Sequence, residues 1–425
     1  MDKKQIVDIM NREMVVALGC TDPVSISYAS AVARHYAKSG EIAKVHVRLS
    51  LSVIKNAASV IIPGTHSCGV PMAAILGALY GNPDGKLEVL KGIDQSCVPQ
   101  AKALLDRGIC TVEEAKNGIQ LYVEVTILTT EGDEAKVALA NDYTNIVLIE
   151  YNGETLKNSD CQCANCAEGC KPTLCLDSIW DFVQEADAAV DLSRVADSIK
   201  LNECIACEGM AHPYGLKVGK TLKENMDCGV LEKNLMNIAV SWAAAGADAR
   251  MAGCCMPVMS NSGSGNQGIT ATMPVVAVAN AMEVSEDKKL RAVALSNLVT
   301  IYIKEFFGRI SVLCGASMAA TGASCGIVYL LGGGLKEMRS SIQNMIGNVT
   351  GVICDGAKVG CALKISTCVQ AAVQSALLAM QGIEIKDTDG IIGCHVEDTL
   401  RNLAKVSKDS SGVLNQTIVN IMINK

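Results

Sequence analysis

Two stretches of this chain, 251–282 and 310–335, contain no charged side chain. Such segments are candidates for withdrawal from water. That leaves either a membrane span or the interior of a packed body. The second stretch exceeds the roughly 20 residues that a spanning helix needs. Yet residues 314–326 read CGASMAATGASCG, with neither Leu nor Phe, and the first stretch holds Asn261, Asn266 and Gln267. Neither has an aromatic belt or a flanking basic asymmetry. Both read as buried segments of a soluble protein, and no membrane partner is expected.

The packing material narrows the fold further. Hydrophobic residues make up 49% of the 425, but aromatics only 3%. A core without rings must be filled by Ala, Val, Ile, Leu, Met and Cys, which suits closely packed helices. The net charge is −7 and no basic run exists, so nucleic-acid binding is disfavoured. The N-terminus lacks the apolar stretch of a secretory signal. The 20 cysteines are therefore expected to be reduced thiols in a cytoplasmic protein, with metal or catalytic roles ahead of disulfides.

Periodicity divides the chain. Residues 5–17 have helical spacing. Thr21 or Asp22 can cap a following helix with Pro23 in its first turn, running to about Lys38. Alternation over 44–51, 120–127 and 138–150 predicts strands, and 70–81 an apolar helix. Residues 98–117 read as two short helices. Residues 152–176 are polar and cysteine-dense, an insertion or linker. From 178 onward the pattern is almost wholly helical. The expected fold is α+β: a mixed α/β domain over 1–177, carrying the insertion, then a mainly α-helical domain over 178–425.

Chemistry concentrates at a few glycine-punctuated places. Cys314, Cys354 and Cys361 sit in small-residue turns. Three thiolates so held suit an iron–sulfur cluster with one iron free to act as a Lewis acid; the alternative is three small core residues. Gly356 and Gly360 allow the backbone to fold back and bring Cys354 and Cys361 together. The loop Ser260–Gly268 offers unobstructed N–H groups for a carboxylate or phosphate, with Ser262, Ser264, Asn266 and Gln267 as candidate contacts. Cys20 precedes the helix that Pro23 opens; that position favours thiolate and a general-base role, against the alternative of an inert buried thiol. Lys55 and Asn56 are further candidate substrate contacts. Cys163, Cys166, Cys170 and Cys175 could form a second metal site or a thiol-rich surface segment.

Taken together, GCTDP at 19–23, Lys55-Asn56, SGSGNQG at 262–268, Cys314-Gly315 and CDGAKVGC at 354–361 resemble the L-cysteine desulfidases, relatives of the α chain of iron–sulfur L-serine dehydratases. The resemblance runs nearly end to end. It implies a 4Fe–4S cluster held by Cys314, Cys354 and Cys361 with one open iron, Cys20 as proton acceptor, and a small amino acid as substrate. It does not extend to the 161–175 cysteines. The implied activity converts L-cysteine to sulfide, pyruvate and ammonia, or L-serine to pyruvate and ammonia. Two alternatives stand beside it. One is a pyridoxal-phosphate lyase using Lys304, Lys358 or Lys364; the other is a non-catalytic cysteine-rich metal or redox protein. Low charge and small-residue helical faces favour a homo-oligomer.

Overall fold

Alternation decides the first half of the chain. In Ile42–Leu49 the side chains of Val45, Val47 and Leu49 are buried, while Lys44, His46 and Arg48 face the other way. The computed structural model describes residues 1–159 and 173–424. Helix α1 (Lys3–Glu13), capped reciprocally by Asp2 and Gln5, leads through β1 (Val16–Ala17) into α2 (Thr21–Tyr36). Then come β2 (Ile42–Leu49), α3 (Leu51–Ala57), the small hairpin β3 (Ile61–Ile62) and β4 (Ser67–Cys68), and α4 (Val70–Tyr80). After α5 (Val98–Asp106) the chain forms β5 (Cys110–Glu114), β6 (Tyr122–Thr129), β7 (Glu134–Ala140), β8 (Ile146–Tyr151) and β9 (Glu154–Asn158).

These strands make one six-stranded sheet in the order β5-β2-β6-β7-β8-β9, antiparallel except for the parallel pair β2–β5. Helix α2 lies across β6 and β7, and its residues Thr21–Ala33 are all buried. Two sequence expectations change here. The second helix expected within 98–117 is the edge strand β5. Its sequence, CTVEE, has no alternation of its own; the β2 edge supplies the pairing that makes it a strand. The expected insertion begins as β9, the other edge of the sheet. Cys163, Cys166 and Cys170 lie outside the described residues. Cys175 is exposed and caps the next helix, sharing a hydrogen bond with Ser178.

The second half is helical: α6 (Leu176–Glu185), α7 (Ser193–Ala211), α8 (Val218–Asp227), α9 (Leu235–Met251), α10 (Gly265–Ala281), α11 (Glu286–Phe307), α12 (Gly315–Leu330), α13 (Leu335–Val349), α14 (Cys361–Met380) and α15 (Val396–Ile423). One short strand, β10 (Val258–Met259), pairs with β1 and ties the halves together. Ile6, Ile9, Met10 and Met14 of the N-terminal segment are buried in the helical core, while α2, α4 and the sheet enclose a second core.

Most of the two uncharged stretches is buried as expected, with Cys255, Asn280, Ala281 and Gly332 exposed. Within them α10 and α12 are buried along nearly their whole length, and α12 has only 16 residues. Among the described residues one helix, α14, is long and apolar enough to cross a membrane by length and composition; half of that stretch is buried against its neighbours. Small residues set the spacing. A Cβ added to Gly322 of α12 would lie 2.1 Å from Thr300 Oγ1 and 2.3 Å from the Ser296 carbonyl of α11. Gly322→Ala is therefore expected to overpack this crossing and lower stability by about 1–3 kcal/mol. Urea unfolding should show a lower midpoint at unchanged slope.

Candidate active site

A two-residue bridge organises the cysteines. Leu313 pairs antiparallel with Ile353. The Cys314 N–H donates to the Val352 carbonyl at 2.8 Å, and the Cys354 N–H to the Val312 carbonyl at 2.7 Å. Cys314 and Cys354 thus lie diagonally on one face of the bridge, where such neighbours stand about 7–8 Å apart. Cys314 is the N-cap of α12 and Cys361 the first residue of α14. Gly356, at φ +98°, lets the intervening loop fold back; its Cα lies against the Lys55 carbonyl, 2.5 Å from where a Cβ would be. The Cys361 N–H then bonds the Lys358 carbonyl at 2.9 Å.

The thiols register one another. Burial raises the pKa of Cys314, and the charges of Cys354, Cys368 and Cys361 raise it further. Burial also raises Cys361, with Lys358 opposing and Cys354 adding to the rise. Among the described residues no three His, Cys, Asp or Glu side chains are gathered tightly enough to share one metal ion. A four-iron cluster asks for something else, since each thiolate binds a different iron and the sulfurs stand further apart. Three half-buried thiols on adjoining backbones, two of them at positive helix ends, fit that group as a donor set.

Cys20 comes to the same place from the other half of the chain. It is the N-cap of α2 and packs with Val60 and Met251 against Ala357 and Cys361. The helix end was expected to favour its thiolate. In the structure burial wins: desolvation, then the Asp22 charge, push the Cys20 thiol up to about 12, with Arg250 opposing. Its Sγ lies 3.9 Å from Asp22 Oδ2. Asp22 is itself raised to about 6 by burial, against an Asn56 hydrogen bond and the charges of Lys55 and Arg250.

Asn56 joins these groups. Its Nδ2 donates to Asp22 Oδ1 at 3.3 Å, and its Oδ1 lies 3.8 Å from Cys354 Sγ. Lys55 is buried but directs its amine to Asn415 Oδ1 of α15 at 2.8 Å, and Asn415 also holds Ser52. The 260–268 loop forms the amino end of α10, with Ser264 as its cap. Ser262 is turned inward: its N–H bonds the Glu13 carbonyl and its hydroxyl bonds Asn261. Gln267 lies on Gly315, beside Cys314, and among the described residues its Oε1 is buried without a partner.

Several groups here escaped sequence reasoning. Asp22 lies inside the GCTDP motif, where the sequence shows only a helix cap. Arg250 is buried and bridges the two motif loops, donating to the Gly19 carbonyl at 2.7 Å and to Asn266 Oδ1 at 2.9 Å. Tyr143 is buried close to Cys20 and Asp22. The available signal was positional: Arg250 and Arg309 are the charges immediately before the two uncharged stretches. Lys304, weighed only as an imine former, is buried within range of the Cys354 and Cys314 charges. Burial and Arg309 lower its amine to about 8. Lys358 and Lys364 both bind Asp355, whose carboxyl burial would raise but whose two lysine partners bring down to about 2.

Asp22 gives this neighbourhood a measurable pH signature. Between about pH 4 and 6 the folded, cluster-free chain holds a proton at Asp22 that the unfolded chain has released. Stability from this group therefore falls as pH rises through that window. Asp22→Asn should stabilise the cluster-free protein by up to about 3 kcal/mol above pH 6, with the gain vanishing near pH 4. Urea unfolding at the two pH values reads the difference.

The sequence and geometry can be set beside known proteins. The serine dehydratase alpha chain family matches residues 86–420, a span that contains the three cysteines and the α10 loop. A UPF0597 protein of Oleidesulfovibrio alaskensis is 41% identical over 99% of this chain and 97% of its own length. UPF0597 proteins of Clostridium perfringens and Photobacterium profundum are each 40% identical, over 98% and 99% of this chain and 97% and 98% of theirs. The chain belongs to the serine dehydratase alpha chain family, and with it to the dehydratase-like lyases.

Proposed function

We propose that this chain is an iron–sulfur-dependent β-elimination lyase that converts L-cysteine and water to hydrogen sulfide, pyruvate and ammonia. What supports the reading above all is the convergence of Cys314, Cys354 and Cys361 beside the Cys20–Asp22 pair. A four-iron cluster on those three thiolates would supply a Lewis-acidic iron to the substrate's β-heteroatom. The protein's own groups do the rest. The α10 loop receives the carboxylate. Cys20 takes the α-proton on Sγ, and Asp22, 3.9 Å away with its carboxyl at about 6, receives the proton that the thiol must give up. Asn56 fixes the Asp22 carboxylate against the Cys354 side of the site. Loss of the β-substituent leaves an aminoacrylate, which becomes an imine and hydrolyses to pyruvate and ammonia.

The second reading keeps the elimination and takes L-serine, releasing water instead of sulfide; the family match favours it. A soft iron–sulfur centre prefers a thiol to a hydroxyl, which is the argument for cysteine. Both readings place the enzyme in the cytoplasm as a homo-oligomer without a nucleic-acid partner.

Anaerobically reconstituted protein, given L-cysteine or L-serine and assayed for sulfide and pyruvate, separates the two. Cys20→Ser should lower kcat by about 10²–10⁴-fold with iron and acid-labile sulfide unchanged. Cys314→Ala or Cys354→Ala should lose the iron. Full activity in Cys20→Ser removes that thiol from proton transfer, and wild-type protein that takes up no iron removes the cluster.

A further inference from the structure

Arg250 is only 4% exposed, yet among the described residues every acceptor it reaches is neutral: the Gly19 carbonyl, Asn266 Oδ1 and, at 3.5 Å, Met251 Sδ. The other large guanidinium nearby, Arg309, is neutralised in place by Glu13 and by Asp142, the latter at 2.9 Å. Asp22 is near enough to feel the Arg250 charge but accepts its hydrogen bond from Asn56. A buried cation without an anion costs several kcal/mol, so an arrangement that keeps one anticipates an anion from outside.

The unsatisfied part of Arg250 has a defined direction. Among the described residues its Nε is buried without a partner. That edge meets Gly265, the first residue of α10, where an added Cβ would lie 2.3 Å from Nε and 2.7 Å from Cζ. Only glycine lets the start of α10 come this close to the guanidinium. The first two amides of α10, on Gly265 and Asn266, lie outside the helix's own hydrogen bonding. An unpaired guanidinium edge therefore faces the positive end of a 17-residue helix. A planar, two-oxygen anion suits that pair: Nε and Nη2 form a fork for a carboxylate, and the helix end adds its own N–H groups.

We propose that Arg250 binds the α-carboxylate of the substrate at the amino end of α10. The assignment rests on the amino-acid substrate of the proposed function and adds the residue that fixes its orientation. With the carboxylate on Arg250 and α10, Gln267 and Gly315 lead towards the cysteines on one side. The Gly19 carbonyl leads to Cys20 on the other. The guanidinium thereby spans the two loops that flank the reacting carbon.

The test compares L-alanine with L-alaninamide, which differ at the carboxylate and cannot undergo elimination. Their binding to the full-length protein, reconstituted and cluster-free, is followed by ligand-observed NMR. Wild type should prefer L-alanine by about 10–100-fold, the worth of a charge-assisted pair. Arg250→Gln should bring the ratio to within about threefold of unity. Arg250→Lys, which keeps the charge without the fork, should fall between. Equal binding of the two ligands by wild type, or no L-alanine binding at millimolar concentration, overturns the proposal whether or not the variants fold. So does an unchanged ratio in folded Arg250→Gln. Carboxylate preference without pyruvate formation would instead keep Arg250 and remove the lyase reading.

Discussion

The single pairing of Leu313 with Ile353 is the constraint on which the site depends. It joins segments forty residues apart in sequence with two backbone hydrogen bonds, and it sets Cys314 and Cys354 on one face. Everything else is arranged around that ribbon. Helix α12 departs from one side of it, and the loop to α14 from the other. The positive φ of Gly356 turns that loop against α3, which carries Asn56 to Cys354. The N-terminal half contributes Cys20 and Asp22 because α2 starts where that loop ends its turn, against Ala357 and Cys361.

The electrostatics of this assembly follow from burial. Cys20, Cys314 and Cys361 each sit at a helix start, which favours a negative sulfur. Desolvation nevertheless dominates and raises all three in the protein alone. Cations stand ready nearby: Lys304, Lys364 and Arg250 all act on these groups. Lys364 already has Asp355 as a partner, while among the described residues Lys304 and Arg250 hydrogen-bond neutral acceptors. Burial thus penalises the positive side chains and the thiolates alike, and ionisation of the thiols beside these cations relieves both.

Much of the fold was legible in the sequence, because its signals are local. The period-two segments 44–51 and 120–127 became β2 and β6, while 138–150 is divided by the turn at Asn141 into the end of β7 and β8; the uncharged stretches hold the buried helices α10 and α12. Where pairing partners decide, the sequence was mute. CTVEE at 110–114 is a strand because β2 lies beside it, and polar 154–158 is one because β8 does. The site divides in the same way. Cysteines framed by glycines announced themselves. Arg250 did not, because its meaning lies in what it lacks, an anionic partner, and only the packed structure reveals that. The Cys20 titration was misjudged for the related reason that helix position can be read from sequence and depth of burial cannot.

The ring-poor core is what makes this convergence possible. Bulky side chains at the crossings would hold the helices near the upper end of the usual 8–10 Å spacing. Gly322 against Thr300 and Ser296, and Gly268 against the Met259 carbonyl, let backbones approach far more closely. Close backbones bring helix starts and their capping residues together at one end of the bundle. The cysteines, the α10 amides and Arg250 all occupy such starts or lie against one. A composition that looks bland in the sequence is therefore the condition for a site built from helix ends. The aromatic residues that remain nearby, such as Tyr143 against Gly263, fill the space between loops rather than between helices.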